Sequence, residues 1–194
     1  MKLYTSPKSG NGYKVELFLN LLELDFERIY VDMANGAHKS ADYLALNPRG
    51  QVPVLTDNDH NYWESQSILV YIAKKYAPES WLPQEPTALA KTIRWLSFSA
   101  AEVDGLTVAR RIRLFGWDHD LTPHQQKGIS GLIIMDAHLA TNDFLAGDRP
   151  TVADIACYPY VAMAGEGEVD LAPYANVNKW FERIQKLPGY INLP

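Results

Sequence analysis

The secondary-structure pattern of the chain changes at a cluster of prolines. Pro78, Pro83 and Pro86 crowd the segment 78–86, and a proline-rich stretch of this kind is typical of a linker. Strand and helix patterns alternate before this segment, and only helical patterns follow it. We therefore expect an α/β domain over residues 1–77, a linker over residues 78–86 and an all-helical domain over residues 87–194.

The α/β part has the pattern βαβ, then a short helix, then ββα. Val15, Phe18, Leu19 and Leu22 follow helical spacing and predict an amphipathic helix after the first strand. Because Pro53 lacks a backbone N–H, we expect it at the start of a strand or in a special turn. Strands are predicted at Lys2–Thr5, 26–31, 52–55 and 61–63, and helices at 10–22, near 40–46 and from Glu64 onward.

The second part is expected to contain helices alone. Residues 87–115 are apolar-periodic and free of proline, which predicts one long helix. Thr151-Val152-Ala153-Asp154 forms a capping box that begins a later helix, and Pro159 is expected to kink that helix. Other helices are predicted at 123–140 and 177–187.

Composition narrows the functional classes. The chain is 47% hydrophobic and 21% charged, as in folded globular proteins, and its net charge of −5 argues against a nucleic acid partner. No apolar run reaches the length of a membrane span, and the N-terminus lacks the apolar core of a signal peptide. One cysteine, Cys157, forbids an internal disulfide, and no His/Cys spacing suits zinc. We expect a cytoplasmic protein without a bound metal or a membrane partner.

Ser9-Gly10-Asn11 lies where the first strand gives way to the first helix. A helix N-terminus presents unpaired N–H groups and partial positive charge, so a serine hydroxyl there can assist an anion such as a thiolate. Lowering the pKa of a thiol by about two units takes about 2.7 kcal/mol. The alternative is that Ser9 or Asn11 only caps the helix.

Two further motifs suit an extended peptide with a charged end. If the Val52–Pro53 bond is cis, the Val52 N–H and C=O turn outward as a donor and an acceptor; the alternative is a trans proline at a strand edge. Ser65 begins a helix and can receive a carboxylate, while Glu64 can accept from an ammonium group. The alternative for this pair is plain capping.

These motifs occur in order on a βαβ–ββα pattern followed by helices, and in that combination the chain resembles the glutathione transferase family over its whole length. The resemblance implies an α/β plus all-α fold, with an N-terminal thioredoxin-like domain, a C-terminal helical domain and glutathione as co-substrate. It is carried by Asn47-Pro48-x-Gly50-Gln51-Val52-Pro53-Val54-Leu55, Trp63-Glu64-Ser65-x-x-Ile68 and Gly147-Asp148-Arg149-Pro150-Thr151-Val152-Ala153-Asp154-Ile155.

The resemblance also implies which residues bind glutathione. In the family the proline is cis and the residue before it binds the cysteinyl backbone, a role that falls on Val52 beside Pro53. The Glu-Ser pair binds the γ-glutamyl end, which implicates Glu64 and Ser65. Gln51 is a further candidate through its side-chain amide.

Two more residues resemble the family's site for the glycyl carboxylate. His38 and Lys39 lie in a segment similar to that of serine-type plant and bacterial classes. The alternative for both is a solvated loop.

Thiol activation is implied for Ser9, which matches the serine of the serine-type classes. Asn11 is the alternative, since some bacterial and fungal relatives use an asparagine nearby. Tyr4 lies too early for a tyrosine-type enzyme, and no cysteine occurs in this segment, so a cysteine-type mixed-disulfide mechanism lacks its nucleophile. Cys157 is expected to be a small core residue.

The implied reaction is a conjugation of the detoxification type, in which glutathione thiolate attacks a small hydrophobic electrophile in a cytoplasmic homodimer. The electrophile is expected against the helical domain. Candidate residues there are Arg110, Arg111, Arg113 and Trp117, and the alternative is a solvated helix face. Two other functions stay open: a glutathione-dependent disulfide reductase, and a non-catalytic binding or regulatory protein.

Overall fold

The computed structural model describes residues 1–193, and its four strands form one mixed sheet. The strand order is β2-β1-β3-β4, with β1 parallel to β2 and antiparallel to β3, and with β3 antiparallel to β4. The strands are β1 (Lys2–Thr5), β2 (Glu27–Tyr30), β3 (Val54–Asp57) and β4 (His60–Trp63). β3 begins later than the predicted 52, because Pro53 cannot donate to the ladder.

Three helices accompany the sheet: α1 (Gly10–Leu21), α2 (Ala41–Leu46) and α3 (Ser65–Tyr76). α1 packs against α3, and each also contacts the sheet. Leu3, Phe18, Leu55 and Ile68 are fully buried in this core. Tyr43 of α2 packs with Val31 and Val54 in a smaller cluster. The predicted thioredoxin-like arrangement is confirmed.

Gly12 sets how closely α1 approaches the sheet. A Cβ at this position would lie 1.9 Å from the Oγ1 atom of Thr5, at the end of β1. Real Cβ atoms do not approach that closely, so only glycine lets the first turn of α1 rest on the strand. This contact fixes where the turn that carries Ser9 lies.

The second part of the chain contains five helices within the described residues, as the sequence predicted. They are α4 (Pro86–Ala101), α5 (Asp104–Phe115), α6 (Thr122–Leu139), α7 (Val152–Ala162) and α8 (Ala175–Gln185). No helix in residues 1–193 is both long and apolar enough to span a bilayer.

The prediction of a single helix over residues 87–115 is wrong, because the chain breaks between Ala101 and Asp104. The Val103 N–H bonds to the carbonyl of Phe98, five residues back, which interrupts the regular ladder. Just beyond the break, a Cβ on Gly105 would lie 2.6 Å from the backbone nitrogen of Gly128 in α6. The break therefore accompanies a close backbone contact between two helices, which periodicity along one helix does not encode.

The capping box at the start of α7 is present as predicted. Asp154 is fully buried and its Oδ1 accepts from the Leu145 N–H and the Trp180 Nε1–H, both at 2.9 Å. Its Oδ2 accepts from the Thr151 N–H at 2.9 Å and the Thr151 hydroxyl at 3.2 Å. Pro159 lies inside α7, and the kink there stays a prediction. Cys157, on the same helix, is fully buried, as expected of a core residue.

Contacts divide the chain into two compact units: residues 1–77 with the C-terminal residues from 188 on, and residues 78–187. The C-terminal segment thus groups with the first unit, although the helical domain was expected to run to residue 194. The Tyr13 hydroxyl donates to the Ile191 carbonyl at 2.5 Å, and Gly189 lies against the backbone of Asn20. The expected linker 78–86 contains a 3-10 turn and the first residue of α4.

Asp57, at the β3–β4 turn, ties that hairpin to the C-terminal end of α3. Its Oδ2 accepts from Tyr71 at 2.6 Å, from Lys75 at 2.8 Å and from the Tyr76 hydroxyl. Burial acts to raise the pKa of Asp57, but the hydrogen bonds from Lys75 and the two tyrosines outweigh it and hold the pKa well below its ordinary value.

We predict that Asp154→Ala destabilises the protein by about 3 kcal/mol or more, because it leaves four buried donors without an acceptor. Equilibrium unfolding in urea measures the loss. Asp148→Ala, an exposed aspartate in the preceding loop, is the matched control and is expected to change stability by less than ~0.5 kcal/mol. Equal losses in the two variants would contradict this role.

We predict that Asp57→Asn makes stability less sensitive to acid. Since the folded pKa of Asp57 is depressed, its contribution is present above the ordinary pKa of 3.8 and is lost as pH falls through the lower folded value. The difference in unfolding free energy between wild type and variant should therefore be largest near neutral pH and shrink below about pH 4. Asp59→Asn, at an exposed position in the same turn, is the matched control for the loss of one carboxylate.

Candidate functional site

Three loops lie at one end of the sheet, where β1 and β4 end and β3 begins; this end is called the sheet edge below. Tyr4 pairs with Val54, and Val54 pairs with Trp63 on its other side. The loop that follows β1, the loop that precedes β3 and the loop that follows β4 therefore start from the same edge. The first two loops contain Ser9 and the segment 51–53, and the third consists of Glu64, after which Ser65 begins α3.

Ser9 is the N-cap of α1, and its Oγ accepts the Gly12 N–H at 3.0 Å. Ser9 therefore does cap the helix, and the cap leaves open whether this residue has a second role. A hydroxyl has one proton and two acceptor lone pairs, so the cap uses a lone pair and leaves the O–H to donate. Ser9 is partly exposed, at the positive end of the helix dipole. Capping and donation to an anion are compatible at this residue.

Asn11 and Ser65, singled out in separate motifs, contact each other. The Ser65 Oγ donates to the Asn11 Oδ1 at 3.3 Å, and Ser65 is buried. This bond joins the first turn of α1 to the first turn of α3.

The Val52–Pro53 peptide bond is cis, as the resemblance implied. Two donors hold the loop before it, because the Gln51 carbonyl accepts from the Tyr43 hydroxyl at 2.9 Å and from the Asn47 amide at 2.8 Å. Burial, helped by the proximity of Tyr4, raises the pKa of Tyr43 to about 12. Tyr43 therefore stays protonated and keeps donating at any physiological pH.

Glu64 has a backbone φ of +67°, a left-handed value that costs a non-glycine residue about 1–3 kcal/mol. It occupies the N-cap position of α3, yet its side chain makes no capping bond. Its carboxylate instead forms an ion pair with Arg49, and both side chains are about half exposed. The first N–H groups of α3 thus lack a side-chain cap from Glu64 and suit an incoming carboxylate.

His38 lies beside the loop that carries Gln51. A Cβ on Gly50, which has φ +58°, would come within 2.8 Å of the His38 carbonyl oxygen. The Nδ1 of His38 is buried and has no hydrogen-bond partner among the described residues. Lys39 and Gln51 are exposed. The structure therefore places His38 next to the 51–53 loop. Within residues 1–193, the side chains of Lys39 and Gln51 form no hydrogen bond or ion pair.

Sequence reasoning missed three residues that shape the site: Tyr43, Asn47 and Arg49. Asn47 is buried; its amide N–H₂ donates to the Gln51 carbonyl, and its Oδ1 accepts the Arg49 N–H at 3.0 Å. The available signal was an asparagine at the start of a Pro-Arg-Gly turn, since asparagine side chains commonly bond to the backbone two residues on.

Two of the three arginines considered for the second substrate, Arg110 and Arg113, have protein partners. Arg110 is buried and pairs with Glu166 at 2.9 Å, and Arg113 pairs with Glu168 at 2.8 Å. Trp117 is 45% exposed and contacts the Phe115 ring. Arg110 is thus a buried, paired cation and not part of a solvated helix face. Trp117, by contrast, exposes part of its apolar ring to solvent. Within residues 1–193, no group of His, Cys, Asp or Glu side chains is arranged to hold a metal ion.

Comparison with known proteins gives the family that the sequence motifs resemble. Residues 1–74 match the glutathione S-transferase N-terminal domain, and residues 131–188 match the glutathione S-transferase C-terminal domain. The chain belongs to the glutathione S-transferase family.

Individual relatives cover nearly the whole chain. It is 37% identical to glutathione S-transferase 3 of Zea mays, over 98% of this chain and 91% of that protein. It is 29% identical to the disulfide-bond oxidoreductase YfcG of Escherichia coli, over 96% and 91%. A glutathione S-transferase structure from Pseudomonas fluorescens superposes with a TM-score of 0.93 at 33% identity, over 99% of this chain and 98% of that one.

We predict that Asn47→Ala loosens the 47–51 turn and destabilises the protein by about 1–3 kcal/mol, because buried partners lose their bonds. Hydrogen exchange followed by NMR should show the Arg49 amide exchanging faster. The Trp81 amide, which bonds to the Pro78 carbonyl at 3.0 Å in a turn outside this segment, serves as an internal control. Unchanged exchange at Arg49 would count against the role of Asn47.

Proposed function

We propose that this protein is a glutathione transferase that joins the glutathione thiolate to a small hydrophobic electrophile. The observation that carries the proposal is the hydroxyl of Ser9 at the N-terminus of α1, on the same sheet edge as cis-Pro53 and the uncapped start of α3. This edge offers a donor for a sulfur anion, an outward backbone for a peptide and N–H groups for a carboxylate.

Each part of glutathione has a matching group in this proposal. Val52 pairs its backbone with the cysteinyl residue. Glu64 and Ser65 take the ammonium and carboxylate of the γ-glutamyl end. Near the glycyl carboxylate, His38, Lys39 and Gln51 supply polar side chains. The Nδ1 of His38, which has no partner within residues 1–193, is consistent with a ligand contact there.

The Arg49–Glu64 pair affects the ammonium contact. An exposed ion pair contributes about 0–1 kcal/mol, so a ligand ammonium can share or replace the Arg49 partner at small cost. Glu64 thus remains available to the substrate although it is paired in the free protein.

The proposed reaction needs little beyond ionisation and positioning. A free thiol has a pKa near ~8.5, so only a small fraction is thiolate at neutral pH. The Ser9 O–H and the helix N-terminus favour the anion, and binding holds the anion where an electrophile can meet it. The thiolate then attacks the electrophilic carbon, a thioether forms and the leaving group departs with the electron pair.

Disulfide reduction is the second candidate, favoured by the similarity to the disulfide-bond oxidoreductase of Escherichia coli. The only cysteine, Cys157, is fully buried in α7 and is not placed to attack a disulfide. A reductase activity would therefore use the bound glutathione thiolate as its attacking group. The same Ser9 site serves both reactions, and the second substrate distinguishes them.

Two assays on the purified protein decide between these functions. Glutathione is supplied with a chlorodinitrobenzene in one assay and with bis(hydroxyethyl) disulfide in the other, and products are identified by mass spectrometry. A thioether product supports the transferase, and glutathione disulfide formed faster than in buffer supports the reductase. Glutathione binding without either product would instead support a non-catalytic binding protein.

We also infer that the protein acts as a cytoplasmic homodimer in detoxification. The inference rests on family membership. Sedimentation equilibrium tests it, and a mass equal to that of one chain, 21.9 kDa, at micromolar concentration would contradict the dimer.

We predict that Ser9→Ala lowers conjugation roughly ten- to hundredfold at neutral pH, because a hydrogen bond to an anion is worth about 1.5–3 kcal/mol. Ultraviolet absorbance of the bound thiolate, followed against pH, should show its pKa raised by about one to two units. Ser9→Ala also removes the cap, at a cost of about 0.5–2 kcal/mol of stability.

Two variants separate the cap from thiol activation. Ser9→Asp keeps a good capping group without a donor, so stability should hold while conjugation falls. Ser9→Thr keeps both and should retain most activity. Full activity in Ser9→Asp would show that the hydroxyl only caps the helix.

A further inference from the structure

A cavity lies between α2 and the outer strand of the sheet. Its volume is about 440 Å³, within the range of about 300–1,000 Å³ that is usual for small-molecule sites. Tyr4 pairs with Ile29 on one side and with Val54 on the other, so these three side chains share one face of the sheet. Tyr43 of α2 packs on that face, and the cavity lies beside it.

Two aromatic rings form part of the cavity wall. The rings of Tyr4 and Tyr43 meet edge to face, with centroids 6.3 Å apart and planes at 75°, and both residues line the cavity. The Tyr43 hydroxyl donates to the Gln51 carbonyl, so its proton is already used. Since an aromatic face attracts a cation within about 6 Å of the ring centre, this wall suits a positively charged group with an apolar surface.

Two carboxylates also line the cavity, and neither has a cationic partner within residues 1–193. Asp42, in the first turn of α2, forms no hydrogen bond or ion pair in that part of the chain. Asp32 accepts from the neutral Asn35, through its side-chain amide at 2.7 Å and its backbone N–H at 3.1 Å. These bonds hold the pKa of Asp32 below its ordinary value, so this carboxylate is charged at neutral pH.

The cations close to the cavity in sequence do not neutralise it. Among the described residues, no lysine, arginine or histidine lines the cavity. Arg28 precedes Ile29 in β2 and points to the opposite face of the sheet, where it pairs with Glu16 of α1. Lys39 is exposed in the neighbouring turn. The cavity therefore keeps a negative charge, and it lies across the sheet from α1, which begins at the Ser9 cap.

We propose that this cavity is a second ligand site, which binds a small organic ammonium ion such as a quaternary or aliphatic amine with an apolar body. The rings of Tyr4 and Tyr43 receive the charged, apolar head, and Asp32 and Asp42 balance its charge. The cavity is larger than a bare metal ion requires, and no metal-holding group occurs within residues 1–193. The site is separate from the proposed glutathione site and does not depend on the proposed function.

A pair of ligands that share a shape and differ in charge tests the site. Choline and 3,3-dimethylbutan-1-ol are titrated into isotope-labelled protein, with and without glutathione, and amide chemical shifts give each Kd. We expect choline to bind at least ~tenfold more tightly than the neutral alcohol, because only the cation gains from the rings and the carboxylates. The responding amides should lie in β2 and α2, and the response should persist when glutathione is added.

Single charge removals measure the contribution of the carboxylates. Asp32→Asn and Asp42→Asn should each weaken choline binding about two- to fivefold and leave the Kd of the alcohol unchanged, as expected for a partly exposed ion pair. Asp25→Asn, at an exposed position just before β2, changes the net charge of the protein equally and is the matched control. It should leave both Kd values unchanged.

Substitutions at Tyr4 distinguish attraction by the ring from contact with an apolar surface. Tyr4→Phe keeps the ring and should bind choline as the wild type does. Tyr4→Leu keeps an apolar side chain without the ring, so choline binding should fall about three- to tenfold while the alcohol binds as before. Because both ligands are measured on the same variant, a general loss of folding would weaken both and is recognised as such.

Several results would overturn the site. These are equal Kd values for choline and the alcohol, or a choline response confined to the loops next to Ser9 and Ser65. Displacement of choline by glutathione would place it at the glutathione site instead. A loss in Asp25→Asn as large as that in Asp32→Asn would reduce the effect to general charge attraction. None of these results bears on conjugation, and a failed conjugation assay leaves the ammonium site standing.

Discussion

The pairing of β3 between β1 and β4 is the constraint on which the candidate site depends. The register brings Val54 opposite Tyr4 on one side and opposite Trp63 on the other. The loops next to β1, β3 and β4 that carry the candidate glutathione-binding residues leave the sheet at that end. Because side chains alternate along a strand, a slip of one residue would turn the buried side chains of the strand to the other face and shift the loops relative to one another.

Two local features position the loops at this edge of the sheet. Gly12 lets the first turn of α1 lie against the end of β1, which places the Ser9 cap at the edge. The Gln51 carbonyl, held by Tyr43 and Asn47, fixes the loop that ends at the cis peptide bond. Gly12, Tyr43 and Asn47 are not among the residues proposed to contact glutathione. Each acts by limiting the conformations of a loop whose backbone does the binding.

The sequence was informative for the first unit because its signals are local. Strand and helix patterns, a turn at Asn47 and a motif at Glu64 all lie within short windows, and the structure places the elements where these windows predict them. The prediction of one helix over residues 87–115 was wrong because the close contact between α5 and α6 at Gly105 is a property of two helices together. Arg110, one candidate for a substrate site, pairs with Glu166, a contact between segments far apart in sequence that no local pattern shows.

The sequence alone determined the family resemblance, the order of the elements, the capping box at Thr151 and the identity of the motif residues. Only the tertiary structure decided which of them touch: that Ser65 donates to Asn11, and that the C-terminal segment joins the first unit through Tyr13. The physical reason is the distance along the chain over which each kind of interaction acts. Propensity, capping and spacing act over a few residues of one segment, whereas a hydrogen bond between distant side chains exists only after the sheet and helices have packed.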